Sequence, residues 1–463
     1  MKNNGKKKWT VIYLIRSVER INAHHIKKMF DQILEDEIPD DVSVIICLNS
    51  FISAITTLDI AYTPPAVFGP DDTTTCFYSV VPATAPAENK KSKMKLLVEE
   101  RTFRIKEPAD VSRYFKEKVL AYHAADKYLL FTWDHGAAFG VFVDGPMPRV
   151  VNASLDNDIF IDHKFRDKIK KDQLGEAAFL QSDVKTALQE LTTTEFDMLS
   201  MDELRDAIEC AFPEKKVDVL IMLNCWMQFF DTGLTLYRHV DYLVAAETTM
   251  AFSGYNYRAI FRLLYSRPDI SPQSLADFAV TSFKEKAAAD PQTPERDTAL
   301  FANALAYYPR LAELIDDISL ALIPLLKTDF AAFKRIMERC DTVELKYNLV
   351  DLSYFLYHVK KELRQRLHPD IIDKINAISR IRPQMIINRY VGPGIVNSTT
   401  FPKKNPLGFS VCFPRDIFEV RSPFYKIYIL QNSEFANVFS KNYSWDDFVA
   451  AYVKRSQLPV IHS

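Results

Sequence analysis

The chain has 463 residues, 48% of them hydrophobic and 25% charged, enough to bury a large core, and its 58 Lys and Arg nearly balance 60 Asp and Glu. That balance supplies neither a basic footprint for nucleic acid nor a pull toward an anionic membrane, and no apolar run is long enough to span a bilayer. The cysteines (Cys47, Cys76, Cys210, Cys225, Cys340, Cys412) lack CxxC spacing, so no disulfide framework, zinc site or other metal or cofactor is expected.

Met1–Lys8 is basic and passes into Trp9–Ile15, an apolar run that reads as a buried strand. The run is short for a signal-peptide core, so a cytoplasmic location is expected, with secretion left open. Ile21–Leu34 has helical spacing, and Val42–Leu48 is a second strand. Thr73–Val81 and Met94–Arg104 read as a β-rich excursion around the loop Pro82–Lys93. A helix over Ala109–Ala125 leads into a third strand, Tyr128–Trp133. A polar insertion, Asn152–Ser200, follows, with helical pattern in Asp183–Leu191. Asp202–Ala211 then precedes the strand Val217–Leu223, and Tyr242–Ala246 is the fifth core strand. Strands alternating with helices predict an α/β fold with a mostly parallel sheet.

From Ser271 the spacing turns helical, over Ser271–Ala288, Thr298–Leu326, Phe330–Cys340 and Val343–Arg366. The aromatics Tyr354, Phe355 and Tyr357 fit a core-facing stripe better than a ligand surface. A last strand, Leu407–Phe413, stops at Pro414, and Ser444 caps a closing helix whose first turn holds Asp446 and Asp447. The expected organisation is an α/β domain over 1–265, interrupted by 152–200, and a mainly helical region over 266–463 that returns one strand.

Reacting groups in open α/β sheets gather at the carboxyl ends of strands. His135 and Gly136 follow the third strand, and Asn224 and Cys225 follow the fourth. A thiol entering a new element can meet backbone amides that favour thiolate, and an imidazole can relay its proton, which together make a cysteine peptidase. The backbone amides of Gly136 and Cys225 are the natural oxyanion donors. The bland alternatives are a capping histidine and an inert buried cysteine. Asp134 is expected in a structural loop role, because neighbours at a strand end point apart. His24 and His25, adjacent on a helix, read as surface or cap residues, and His163 and Lys164–Lys171 as solvated.

These residues resemble the clostripain family of caspase-like cysteine peptidases. The likeness runs through Trp9–Leu14, Trp133–Gly136, the strand ending in Cys225, Val240–Glu247, Gly254–Tyr257, Val350–Leu352, Leu407–Pro414 and Trp445–Phe448. It implies a caspase-like fold, a His135 base, a Cys225 nucleophile and endopeptidase action on a peptide or protein substrate. A regulatory protein partner is also allowed. Family members carry an acidic residue two positions before the cysteine for a substrate Arg or Lys, and here that residue is Leu223. Leu223, Asn224 and Glu247 are therefore the expected substrate-binding positions, without strict Arg or Lys specificity. Asn224 stands where the family has alanine, and Ala137–Phe139 replace a glycine-rich run, so a non-cleaving peptide-binding scaffold is the alternative reading. Family members are often activated by cleavage within the interval occupied by 152–200; loss of basic specificity predicts no self-cleavage there.

Overall fold

The computed structural model describes residues 6–17, 22–58, 72–87, 90–144, 197–290, 292–340, 342–344, 349–396, 408–415 and 438–456. Met1–Phe142 and Leu199–Ser463 form one compact unit, and Val143–Met198 forms another. The helix expected at Asp183–Leu191, together with His163 and Lys164–Lys171, lies outside the described residues.

The apolar runs become the centre of a nine-stranded mixed sheet flanked by helices. β1 (Lys7–Ser17) pairs in parallel with β2 (Val42–Phe51) on one side and β5 (Ala125–Trp133) on the other. β5 continues in parallel to β8 (Val217–Leu223), and β8 to β9 (Val240–Ala246). Helices cover both faces, which is why these strands read as unbroken apolar runs rather than alternating ones. Trp9, Val11, Tyr13 and Ile15 face the same cluster as Ile26, Phe261 and Leu275, drawn from the helices Ala23–Leu34, Tyr257–Ser266 and Pro272–Ala289. Tyr13 stacks on Phe131 of β5 at 4.5 Å between ring centroids.

The excursion after β2 is an antiparallel edge made of β3 (Thr73–Ala87) and β4 (Lys90–Glu100). A short two-stranded sheet holds β6 (Gly140–Asp144) and β7 (Asp197–Ser200). Helix Met201–Ala211 then opens with a capping box, in which Ser200 and Glu203 satisfy each other's backbone amides.

The carboxy-terminal half departs from the expected helical reading. Ala299–Ala304, placed within a helix by its spacing, is β10, antiparallel to β9 and to β13 (Ile386–Val391). Pairing on both sides overrides the helical propensity of its three alanines. The helix starts only at Tyr308, with Pro309 in its first turn, the place where a missing amide costs least. Val343–Arg366 likewise divides into β11 (Thr342–Glu344), β12 (Leu349–Asp351) and the helix Leu352–Glu362, capped by Asp351. β14 (Ser410–Cys412) pairs with β12, inside the strand expected near 407–413. Trp445 donates its indole N–H to the Cys412 carbonyl, which ties the closing helix Trp445–Ser456 to that strand. Among the described residues no helix is long and apolar enough to cross a membrane.

Candidate active site

β1, β2, β5, β8 and β9 run in parallel, so their carboxyl ends share one lip of the sheet. Register then decides which residues meet there. Thr132 pairs with Met222 and Trp133 with Leu223, so Asp134–Gly136 leave the sheet beside Asn224 and Cys225.

The junction is fastened by Asn224, which is fully buried. Its side-chain oxygen accepts from the Thr132 hydroxyl at 2.6 Å. Its Nδ2 donates to the carbonyls of Asp134 at 3.0 Å and His135 at 3.1 Å, across 90 and 89 residues of sequence. Gly136 completes the contact. A Cβ there would lie 2.7 Å from Asn224 Cβ, 2.8 Å from the Cys225 carbonyl oxygen and 3.0 Å from the Cys225 nitrogen. The backbone beside His135 therefore touches the backbone of Cys225, an approach only glycine permits.

The chain after His135 folds back as a tight loop. The Phe142 amide donates to the His135 carbonyl at 3.1 Å, and Gly136 bridges Val141 in antiparallel sense. Ala138 (φ 62) and Phe142 (φ 60) take left-handed conformations. Ala137 and Ala138 are fully buried and the Phe139 ring meets Phe229 edge-on at 5.1 Å. All three residues after Gly136 pack inward.

Asp134 is held from the neighbouring strand end. Its carboxylate accepts from Arg16, at the end of β1, at 2.8 Å, with both side chains nearly buried. Burial pushes its pKa up to about 6, against the opposing pull of Arg16. A cation at the end of an otherwise apolar strand was the sequence signal for this pair.

Cys225 is half-buried, whereas Cys47, Cys76, Cys340 and Cys412 are buried. Burial pushes the Cys47 thiol well above its ordinary range and Cys76 to about 12, as expected of packing thiols. Directly after the thiol, Trp226 adopts φ 59, a strained value for a bulky residue, and its amide donates to the Thr248 carbonyl at 2.9 Å. That bond draws in the segment after β9. There the Met250 amide donates to Cys225 Sγ at 3.3 Å, and Phe252 meets the His135 ring edge-on at 5.3 Å. His25 reaches the same Phe252, at 6.2 Å, and its ring also contacts His24 at 3.7 Å. Sequence spacing read His25 as a surface or cap residue, and it does lie in the first turn of helix Ala23–Leu34, but spacing gave no sign of Met250 or Phe252 beside the pair.

Leu223 is buried at the end of β8, so close beneath Gly254 (φ 57) that a Cβ there would lie 2.0 Å from Leu223 Cδ1. Glu247 is fully buried, and its carboxylate accepts from the Gly408 amide at 3.1 Å. Among the described residues no three His, Cys, Asp or Glu side chains converge as a metal-ligand set. A thiol and an imidazole carried by neighbouring strand ends, with backbone amides about them, can supply the nucleophile and base of acyl transfer.

Residues 176–405 match the sequence pattern of the clostripain family. Among solved structures, the fold is similar to an inactive zymogen C11 protease from Parabacteroides distasonis, at 13% identity and TM-score 0.57, covering 91% of this chain and 96% of that one. It is also similar to a secreted C11 cysteine protease from Bacteroides thetaiotaomicron, at 11% identity and TM-score 0.57, covering 93% and 98%. The same description applies to a complex with an irreversible peptide inhibitor, at 11% identity and TM-score 0.54, covering 97% and 99%. No curated protein matches the chain.

Proposed function

Because this chain belongs to the clostripain family of cysteine peptidases, we propose that it hydrolyses internal peptide bonds with Cys225 as nucleophile and His135 as general base. The observation that carries the assignment is the joint between the two strand ends: one buried amide, Asn224, grips the histidine loop while Gly136 sits against the Cys225 backbone.

In this mechanism His135 takes the thiol proton and the Cys225 sulfur attacks the scissile carbonyl. The proton passes to the leaving amine, and water then cleaves the thioester. The Met250 amide, 3.3 Å from the sulfur, favours its charged form. The amides of Gly136 and Cys225 are assigned to the oxyanion. For the side chain before the scissile bond, we propose no strict Arg or Lys preference. Leu223 offers no charge, the Glu247 carboxylate is engaged by Gly408, and the buried Glu295 carboxylate is bound to Lys286 at 2.6 Å. A substrate cation would forgo charge-assisted hydrogen bonds worth about 1.5–3 kcal/mol each. The cytoplasmic expectation is not carried into this proposal, because a peptidase of similar fold is secreted.

The test is a peptide library varied at that position, run on wild type, Cys225→Ala and His135→Ala. Cleavage lost in both variants and spread over several residue types supports the proposal; cleavage only after Arg or Lys refutes the specificity. The second reading, a peptide-binding scaffold, is favoured by Asn224 filling the buried position beside the thiol. It predicts peptide binding without cleavage and no covalent capture of Cys225 by an electrophilic peptide. Labelling must be read by peptide mapping, because exposed Cys210 accepts a hydrogen bond from Lys116 at 2.9 Å, which lowers its pKa and makes it a competing thiol.

A further inference from the structure

We infer that Lys286, with its buried partner Glu295, is a positioning residue for the Cys225–His135 pair, acting through the segment 247–256. The inference rests on the dyad proposed above. This segment supplies two groups that touch the reacting side chains from outside their own strands: the Met250 amide on Cys225 Sγ at 3.3 Å and the Phe252 ring on His135 at 5.3 Å.

The segment has no sheet or helix ladder of its own between the end of β9 at Ala246 and the helix that begins at Tyr257. Its first part is pinned from two sides, because Thr248 accepts from Trp226 at 2.9 Å and Thr249 accepts from the Thr298 hydroxyl at 3.1 Å. Its second part is held by Lys286. That ammonium, near the end of helix Pro272–Ala289, donates to the carbonyls of Ser253 at 2.9 Å and Gly254 at 2.7 Å. Glu295 lies in the turn Pro294–Asp297, is fully buried and binds Lys286 at 2.6 Å. It also accepts from Ser253 Oγ at 2.7 Å and from the Thr293 hydroxyl.

Stability alone does not explain such an arrangement. Removing two charges from water costs about what their attraction returns, and a packed apolar pair serves stability as well. What an ammonium anchored by a buried carboxylate adds is geometry, since it ties two successive carbonyls, and hence the peptide planes leading back to Met250, to one point. A displacement of about 1 Å in such a support can cost about a hundredfold in rate.

The charged or titratable groups around the pair include Asp134 with Arg16, and His25 with His24, Lys28, Lys286 and Glu295 beyond Phe252. Lys286 is the member that bonds to the segment's backbone.

The experiment follows iodoacetamide alkylation of Cys225 against pH, resolved from Cys210 by peptide mapping, in wild type, His135→Ala, Lys286→Met, Lys286→Arg and Glu295→Gln. Lys286→Met is expected to slow Cys225 alkylation at neutral pH about fivefold, the worth of roughly one hydrogen bond to the thiolate, and to move the pH profile upward. Cys210 should react at its wild-type rate, and Lys286→Arg should recover most of the loss. On the best library peptide, Lys286→Met should lower kcat more than it raises KM. Should Lys286→Met unfold the chain, exposing buried Cys47 and Cys412 to the reagent, the smaller change Glu295→Gln carries the test, with a loss in the same direction. A folded Lys286→Met or Glu295→Gln protein with the wild-type profile overturns the inference. Failure of the dyad is separate, because it would show as His135→Ala alkylating at Cys225 like wild type.

Discussion

Asn224 lends itself to a discriminating substitution, because its amide plays two opposite parts. Its oxygen accepts from Thr132 while its nitrogen donates to the carbonyls of Asp134 and His135, the first two of these bonds buried and the third part-buried. Asn224→Ala removes all three bonds. The Thr132 hydroxyl and the Asp134 carbonyl lose a buried partner, while the His135 carbonyl keeps the Phe142 amide at 3.1 Å. At about 1–3 kcal/mol for each orphaned group, the loss is about 2–6 kcal/mol, a large share of the stability of a typical fold. Asn224→Asp preserves shape and the Thr132 bond, but turns a carboxylate oxygen toward two carbonyl oxygens about 3 Å away. A buried charge without compensation costs about 3–5 kcal/mol, so the isosteric change should be about as harmful as alanine. Urea unfolding of the three proteins, compared at equal slope, gives the ranking, and cleavage of the library peptides reports whether the histidine loop has moved. An Asn224→Asp protein as stable as wild type would refute this account of the junction.

Gly136→Ala should reduce peptidase activity by about a hundredfold with the sheet intact, since its Cβ would fall 2.7–3.0 Å from Asn224 and Cys225 and push the histidine loop away; circular dichroism and peptide cleavage together check this. Glu247→Gln should lower the urea midpoint by weakening the anchor of Gly408, yet leave the library's residue preference unchanged; an altered preference would place Glu247 in the substrate pocket instead. For Asp134 the folded carboxyl titrates near 6, above its ordinary 3.8. Folded and unfolded chains are both protonated at that position below the lower value, and only the unfolded chain ionises between the two. Wild-type stability relative to Asp134→Asn should therefore fall as pH rises from about 4 to about 6 and then level off. Urea midpoints across that range measure it, and a rise over the same interval contradicts the burial-dominated reading.

The central sheet was legible because burial on both faces leaves an apolar run that needs no partner to be recognised, as in Trp9–Ile15 and Val217–Leu223. The places of His135 and Cys225 at strand ends follow from the same runs, since each ends where polar residues and glycine take over. β10 escaped notice because an alanine-rich stretch carries helical propensity, and only its neighbours β9 and β13 make it a strand; Pro309, which belongs in a first helical turn, was the unused clue.

Side-chain direction beyond the strand ends was decided by tertiary structure alone. Asn224, expected among the substrate-binding positions, has its amide turned into the histidine loop, and the Glu247 carboxylate meets Gly408, 161 residues away. Lys286 reaches carbonyls 32 and 33 residues before it. Sequence fixes which segments are buried because hydrophobic periodicity is local. Which atoms meet at the shared lip depends on strand register and on loop torsions such as φ 59 at Trp226, and those are set by packing between segments far apart along the chain.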